Sequence, residues 1–477
     1  MRKNLNWVAA VVLAMQASSV GAETLGDALA GAYKTSNLLL QNQATLRASD
    51  ENVAVAMAAL RPVLTYIAQA NDAGQQQQGV VVGSGGQSTI VDWVEQQNVS
   101  FNLTAQMTLY DFGASKTNIA TVKETVLATE QSLRSVEQQV LLGAAQAYIN
   151  VGLQGRMVEM QQSNVELVTK DLSAARDKFD VGEVTMTDVS QVEAQLAAAQ
   201  SQLVASQGAL TLAREAYKAS VGHYPAKLAA MPRAPALPRS LSEAQAIAAK
   251  TNPQILAAQH QSLAADLRVQ SAMLAMQPKI AGNVTAGLTS YLNDVNTSIQ
   301  SGYSPQSLSA GVQVSGVLYA GGQLSALYRQ SLNSQDAAKF GLAQSAVGVA
   351  QGVGNAWSNL AVASASITAS DQQVTAAQAA LDGVRQEFDV GSRTTLDVLD
   401  AQQAVLSAES ARLQAYANLY NGQYSLLSSM GLLTAERLKL GVPIYDPKAY
   451  FNAVEGGPVT STQGKKLDQI MKLMGRD

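Results

Sequence analysis

Val99-Ser100-Phe101-Asn102-Leu103-Thr104-Ala105-Gln106-Met107-Thr108-Leu109 alternates apolar and polar side chains without a break. Val99, Phe101, Leu103, Ala105, Met107 and Leu109 fall on one face, and Ser100, Asn102, Thr104, Gln106 and Thr108 on the other. A period of two belongs to a strand, whose successive side chains point to opposite sides. Residues 307–318 repeat the pattern, with Leu308, Ala310, Val312, Val314 and Leu318 against Ser307, Ser309, Gln313 and Ser315. Residues 63–70 and 280–289 are weaker versions. Each run is close to the about 9–11 residues that a tilted membrane-crossing strand needs.

Beyond Gly113 and Gly322 the period changes. Val122, Val126, Thr129, Leu133, Val136, Val140, Gly143 and Ala147 step by four and three, and Leu399, Leu406, Leu413, Tyr420 and Leu427 recur every seven. These are coiled-coil seams. A helix from Gly113 to Phe179 would be on the order of 100 Å long at 1.5 Å per residue. Prolines fence these stretches. All 11 lie at 62, 225–238, 253, 278, 305 and beyond 442. Regular structure is therefore free to run through 63–224 and 306–442.

The order strand, strand, long helix, turn, helix occurs twice. Leu25-Gly26-Asp27-Ala28 recurs as Leu241-Ser242-Glu243-Ala244, and Leu109-Tyr110-Asp111-Phe112-Gly113 as Leu318-Tyr319-Ala320-Gly321-Gly322. Phe179-Asp180-Val181-Gly182 recurs as Phe388-Asp389-Val390-Gly391, and Ser220-Val221-Gly222 as Ser429-Met430-Gly431. The chain reads as an internal duplication. Repeat 1 spans 23–222, with a helix, strands at about 63–74 and 98–109, a long helix at about 113–179 and a helix at about 185–220. A Pro-rich linker covers 223–239. Repeat 2 spans 240–440, with a helix, strands at about 279–290 and 307–319, a long helix at about 323–388 and a helix at about 394–430. A tail without clear period covers 441–477. The polar run Gln75 to Gln78 with Gly83-Ser84-Gly85-Gly86 reads as an extracellular loop.

Composition narrows the function. Aromatic residues are 5% and charged residues 14%, which suits long helices packed through small side chains. There is no Cys, which rules out disulfides, thiolate metal sites and a lipidated N-terminal Cys. The two histidines, His223 and His260, read as surface residues, so no cofactor or metal centre is expected. Arg2 and Lys3, an apolar run from Trp7 to Met15, and Val20-Gly21-Ala22 form a secretory leader over 1–22, leaving Glu23 as the mature start. Losing two bases from 32 leaves 30 against 36 acids, so the exported chain carries −6 and is a poor nucleic-acid binder. No later run of 18 apolar residues exists. A membrane crossing must therefore use strands.

A sheet in lipid cannot leave open edges, because unpaired backbone groups in hydrocarbon cost several kcal/mol each. The smallest spanning barrels need about eight strands. Four per chain means two, three or four copies. The polar strand face implies a water-filled interior, with Val99, Phe101, Leu103, Val312 and Val314 toward lipid.

The chain resembles the TolC family of outer-membrane channel proteins over nearly all of its mature length. Phe179-Asp180-Val181-Gly182 with Thr187-Asp188-Val189, and Phe388-Asp389-Val390-Gly391 with Arg393-Thr394 and Asp397-Val398-Leu399-Asp400-Ala401, carry the resemblance. Ala147-Tyr148 and Ala356-Trp357 support it. It implies a membrane α+β fold in which four transmembrane strands per protomer complete a 12-stranded barrel in a homotrimer. The barrel would continue into a coiled-coil tunnel in the periplasm. It also implies a non-enzymatic exit duct in the outer membrane of a Gram-negative cell. Its partners would be a periplasmic adaptor protein and an inner-membrane ABC or proton-driven transporter, with type I protein secretion the first expectation and drug efflux the second.

The resemblance further implies a gate where the hairpins turn, at Gly182 and Gly391. Thr187 and Asp188 match one side of its links, and Phe388 and Arg393 the other. An Arg393–Asp188 ion pair is expected there, and Phe388 stands where a Tyr is frequent. Asp397 and Asp400, three apart and so on one helix face, would ring the pore constriction. The competing reading makes them helix-start acids. A periplasmic coiled-coil adaptor or an extracellular adhesin would share the helices, but would not need four alternating strands with apolar faces. Gly83-Ser84-Gly85-Gly86 and Gly352-Val353-Gly354 fit no phosphate-loop spacing, so an enzyme is not expected.

Overall fold

The computed structural model describes residues 22–232, 236–293, 306–455 and 469. The expected leader lies outside them except for Ala22. The chain divides into two compact units, each built from both halves of the sequence. One holds 43–132, 256–345 and 446–477, and the other 1–42, 133–255 and 346–445.

The first unit carries the sheet. β1 (Val63–Gly83), β2 (Gly86–Tyr110), β3 (Lys279–Asn293) and β4 (Gln306–Ser315) pair antiparallel in sequence order. The register sorts the side chains into two faces. Tyr66, Leu103, Ala286 and Leu308 lie side by side across the four strands, with Ala68, Phe101 and Leu288 in the next row. Val99, Val312 and Val314 share that face. Phe101 is 44% exposed and Val312 68%, so no described residue covers it. The opposite face carries Thr65, Thr104, Thr285 and Ser309 in one row. There the Thr104 and Thr285 hydroxyls are 3.1 Å apart. Gly287 lets Asn102 and Ser307 close in, since a Cβ there would sit 2.6 Å from both polar atoms.

Two strand ends differ from the sequence reading. The stretch 75–97, expected as loop, is strand. Pairing runs in register from Val63↔Gln106 to Gly83↔Gly86 and closes in a two-residue turn, Ser84-Gly85. Glutamine side chains do not interrupt a ladder made by the backbone, so a polar run is no proof of a loop. Gly86, the first strand residue after the turn, has φ 119°, a conformation that favours glycine. β4 stops at Ser315 rather than near 319, because its partner Lys279 is preceded by Pro278, which has no N–H to extend the ladder.

The leading helix of each repeat is two helices. α1 (Leu25–Thr35) and α2 (Asn37–Ala58) break at Ser36, and α5 (Leu241–Thr251) and α6 (Pro253–Leu274) break at Asn252, before a proline. The long pairs follow: α3 (Ala114–Asp180) with α4 (Met186–Val221), and α7 (Gln323–Asp389) with α8 (Thr395–Ser429). No helix among the described residues is long and apolar enough to cross a membrane. Asp111 accepts from the Gly113 and Ser115 amides at 3.1 and 2.7 Å and so caps the start of α3. In the tail, α9 (Pro447–Glu455) is held to α2 by a Tyr450–Glu51 hydrogen bond of 2.8 Å.

The second unit shows the duplication in its joints. Thr35 Oγ1 donates to the Val221 carbonyl at 2.9 Å, and Thr251 Oγ1 to the Met430 carbonyl at 2.7 Å. The residue after each carbonyl is a glycine with positive φ, Gly222 at 96° and Gly431 at 79°. A Cβ on Gly431 would lie 2.4 Å from the Thr251 oxygen. Gly431→Ala should therefore cost roughly 2 kcal/mol or more, from strain and collision together. A fall in melting temperature well beyond that of a surface Gly208→Ala control checks this.

One joint is not duplicated. Glu23 is only 9% exposed. Its carboxylate accepts from the Tyr217 hydroxyl and, at 3.0 Å, from the Ala226 amide, and lies 2.9 Å from His223 Nε2. Tyr148 donates to its carbonyl at 3.0 Å. The corresponding positions in repeat 2 are Trp357, Leu426 and Leu432, an apolar filling. In the first unit, His260 similarly lies 2.8 Å from Glu124. Both histidines are thus engaged by glutamates.

Candidate functional site at the helix-hairpin tips

The α3–α4 and α7–α8 hairpins end in the same turn. The Gly182 amide donates to Phe179 and the Glu183 amide to Lys178, and the Gly391 and Ser392 amides donate likewise to Phe388 and Glu387. Gly182 and Gly391 have φ of 81° and 78°, the left-handed conformation that ends a helix in this way. The following helices start in matching capping boxes. Thr185 and Asp188 exchange hydrogen bonds at the start of α4, and Thr394 and Asp397 at the start of α8.

Behind the turns the two hairpins pack on each other. Val168, Leu172 and Ala175 of α3, Val189 and Val192 of α4 and Leu399 of α8 form one buried cluster. Three polar links bind its rim. Lys178 Nζ sits 4.6 Å from the centre of the Phe388 ring. The Thr395 hydroxyl faces the Asp188 carboxylate and helps to hold it below its ordinary value. Gln402 Nε2 donates to Asp171 Oδ2 at 2.8 Å.

The structure redistributes the residues singled out by sequence. Phe388 is linked, through a cation–π contact that needs no hydroxyl. Asp188 is linked, to Thr395. Thr187 is exposed, and its side chain makes no hydrogen bond among the described residues. The expected Arg393–Asp188 pair is replaced within the protomer by Arg393 Nε to Glu387 Oε2 at 2.7 Å, with Asp397 4.0 Å from the guanidinium. The reason is local. Asp188 already serves its helix cap, and Glu387 stands one turn back from Arg393.

Asp397 is likewise committed. Its Oδ2 accepts from the Thr394 amide at 2.9 Å and the Thr394 hydroxyl at 2.8 Å. The Thr394 amide, then its hydroxyl, then Arg393, hold the carboxyl below the ordinary Asp value. Thr185 does the same for Asp188, with Thr395 adding to it. In one protomer Asp397 is therefore the helix-start acid, and its carboxyl is not raised as a crowded ring would require. Asp400, one turn on, is exposed, and its side chain makes no hydrogen bond or ion pair among the described residues. Sequence reasoning missed Lys178, Glu387, Gln402 and Asp171. A signal existed for two of them. Phe179 and Phe388 are 209 apart, and the same offset carries Lys178 onto Glu387, opposite charges at equivalent places.

Comparison with known proteins agrees with this geometry. The family model described as outer membrane efflux protein matches residues 30–223 and 246–432, the two halves of the duplication. The chain belongs to the outer membrane efflux protein family. Outer membrane efflux protein BepC of Brucella suis is 34% identical over 433 residues, 91% of each chain. Outer membrane protein TolC of Vibrio cholerae is 24% identical over 433 residues, 90% of this chain and 94% of that one. The crystal structure of CusC superposes with a TM-score of 0.73 at 18% identity, covering 85% of this chain and 92% of that one. As a member of the family the chain is a non-enzymatic outer-membrane channel of Gram-negative bacteria, trimeric and working in tripartite pumps.

Proposed function

We propose that the chain is the passive exit duct of an export machine that moves small molecules, held closed at the hairpin tips by the Lys178–Phe388 and Thr395–Asp188 links. The observation that carries the reading is the pair of capped turns joined across the two hairpins over one buried cluster. The four-stranded sheet ends in open edges at β1 and β4, which fits closure between copies. Removal of a leader after Ala22 belongs to the same reading, as do a periplasmic adaptor and an inner-membrane transporter as partners. The name of the 34% identical relative favours efflux as cargo class, ahead of the protein secretion that the sequence reading placed first. Deleting the gene and assaying drug susceptibility together with the secreted proteome decides. Hypersensitivity with an unchanged secretome supports efflux, and the reverse supports secretion.

At the constriction the reading assigns cation preference chiefly to Asp400, three copies around the trimer axis. Rings of acids select cations. Asp400→Asn should reduce cation selectivity about twofold or more, read as the reversal potential in asymmetric KCl. Asp397→Asn should affect selectivity less and destabilise the start of α8. Unchanged selectivity in the double variant would leave both residues as helix-start acids.

A further inference from the structure

Among the described residues, β3 pairs with β2 as far as Gln97↔Asn293, and the β1–β2 pairing continues to Gly83↔Gly86. On the face shared with Tyr66, Phe101 and Leu103, the continuous apolar rows end at Ala70↔Val99, and apolar side chains recur beyond it only singly, at Trp93, Val91 and Val80 among the described side chains. The next pair on that face is Asp72↔Gln97, whose side chains hydrogen-bond at 3.3 Å. Beyond it lie Gly74↔Glu95 and Gln76↔Trp93. Trp93 is 67% exposed. Its indole lies across Gly74, where a Cβ would come within 2.7 Å of the ring. The missing side chain is what lets the ring settle against the strand.

We propose that this arm is a saccharide-binding platform for the core oligosaccharide of outer-leaflet lipopolysaccharide, with Trp93 as the stacking surface and Gln76 and Glu95 as hydrogen-bonding partners. The proposal rests on the reading of the strands as membrane-crossing with the helices on the periplasmic side. Position, chemistry and charge support it. Trp93 stands six residues past the last apolar pair, roughly 20 Å along a strand at about 3.4 Å per residue. A tilt of about 40° leaves roughly 15 Å of height above the apolar band, among sugars rather than acyl chains. An aromatic face flanked by an amide and a carboxylate suits pyranose rings, which offer C–H bonds on one side and hydroxyls at the rim. No Lys or Arg occurs between Arg61 and Lys116, so the arm has no means of gripping lipid phosphates. That leaves the neutral sugars as the occupant the residues can recognise.

The test uses the purified trimer with Trp357→Phe, which leaves Trp93 as the reporter once Trp7 is removed with the leader. Delipidated core oligosaccharide from rough lipopolysaccharide should change Trp93 fluorescence saturably. Without fluorescence, calorimetry on the otherwise native trimer should show Trp93→Ala weakening binding about tenfold or more, and Gly74→Val, which displaces the ring, doing the same. Heptose-deficient lipopolysaccharide should give no such signal. A response to the heptose-deficient form equal to that of the full core, equal binding by Trp93→Ala, or no binding by the native trimer would each overturn the proposal. Failure of the membrane reading shows separately, as absence of a heat-modifiable trimer from the outer-membrane fraction.

Discussion

Aspartate at Phe101 or Val312 should prevent trimer assembly, while aspartate at Thr104 or Gln313 should leave it intact. The two pairs lie on opposite faces of the same sheet, and Thr104 and Phe101 are only three residues apart. A carboxylate on a lipid face near the midplane costs roughly 2 kcal/mol, and threefold symmetry makes that roughly 6 kcal/mol per barrel. On the water-filled side the same charge stays hydrated. The measurement is the yield of heat-modifiable trimer in the outer-membrane fraction. Equal tolerance at all four positions would refute the assignment of the faces.

Lys178→Ala combined with Thr395→Val should raise single-channel conductance in planar bilayers several-fold. The cation–π contact contributes about 0.5–1 kcal/mol and the Thr395–Asp188 contact at most about 1 kcal/mol. Together they shift a closed–open balance on the order of tenfold per protomer. Neither substitution removes a helix cap, so the hairpins themselves survive. Arg393→Ala should do less, because its partner within the protomer lies on its own hairpin. Asp188→Ala would confound the test by uncapping α4. If the double variant conducts like the native trimer, the links are surface contacts and not a latch.

The strands and their faces were legible because alternation over residues 99–109 has one physical meaning. The long helices were legible because prolines are absent there and the seams are regular. The extension of β1 and β2 was hidden, since glutamine and glycine runs carry no periodic signal while the backbone pairs regardless. The breaks at Ser36 and Asn252 were masked by helix-forming neighbours, although Asn252-Pro253 marked one of them. At the tips the motif residues were found, but within the protomer Arg393 pairs with Glu387 rather than Asp188, and Asp397 is tied to Thr394. Thr-x-x-Asp occurs at both Thr185 and Thr394, and this spacing is that of a capping box before it is anything else. Reading it so would have assigned Asp397 to its helix and left Asp400 as the pore-facing candidate. Lys178 was overlooked because its partner is a ring 210 residues away, a contact that no local pattern encodes.

The most direct test of a duct closed at its tips is a reversible lock. The chain has no cysteine, so an Asp171→Cys, Gln402→Cys pair, placed at a 2.8 Å side-chain contact that caps neither helix, would form the sole disulfide across the two hairpins. In cells carrying this variant, export should stop under oxidising conditions and recover on adding reductant, with the disulfide followed by gel mobility. Export that continues undiminished while the bond is fully formed would contradict the account.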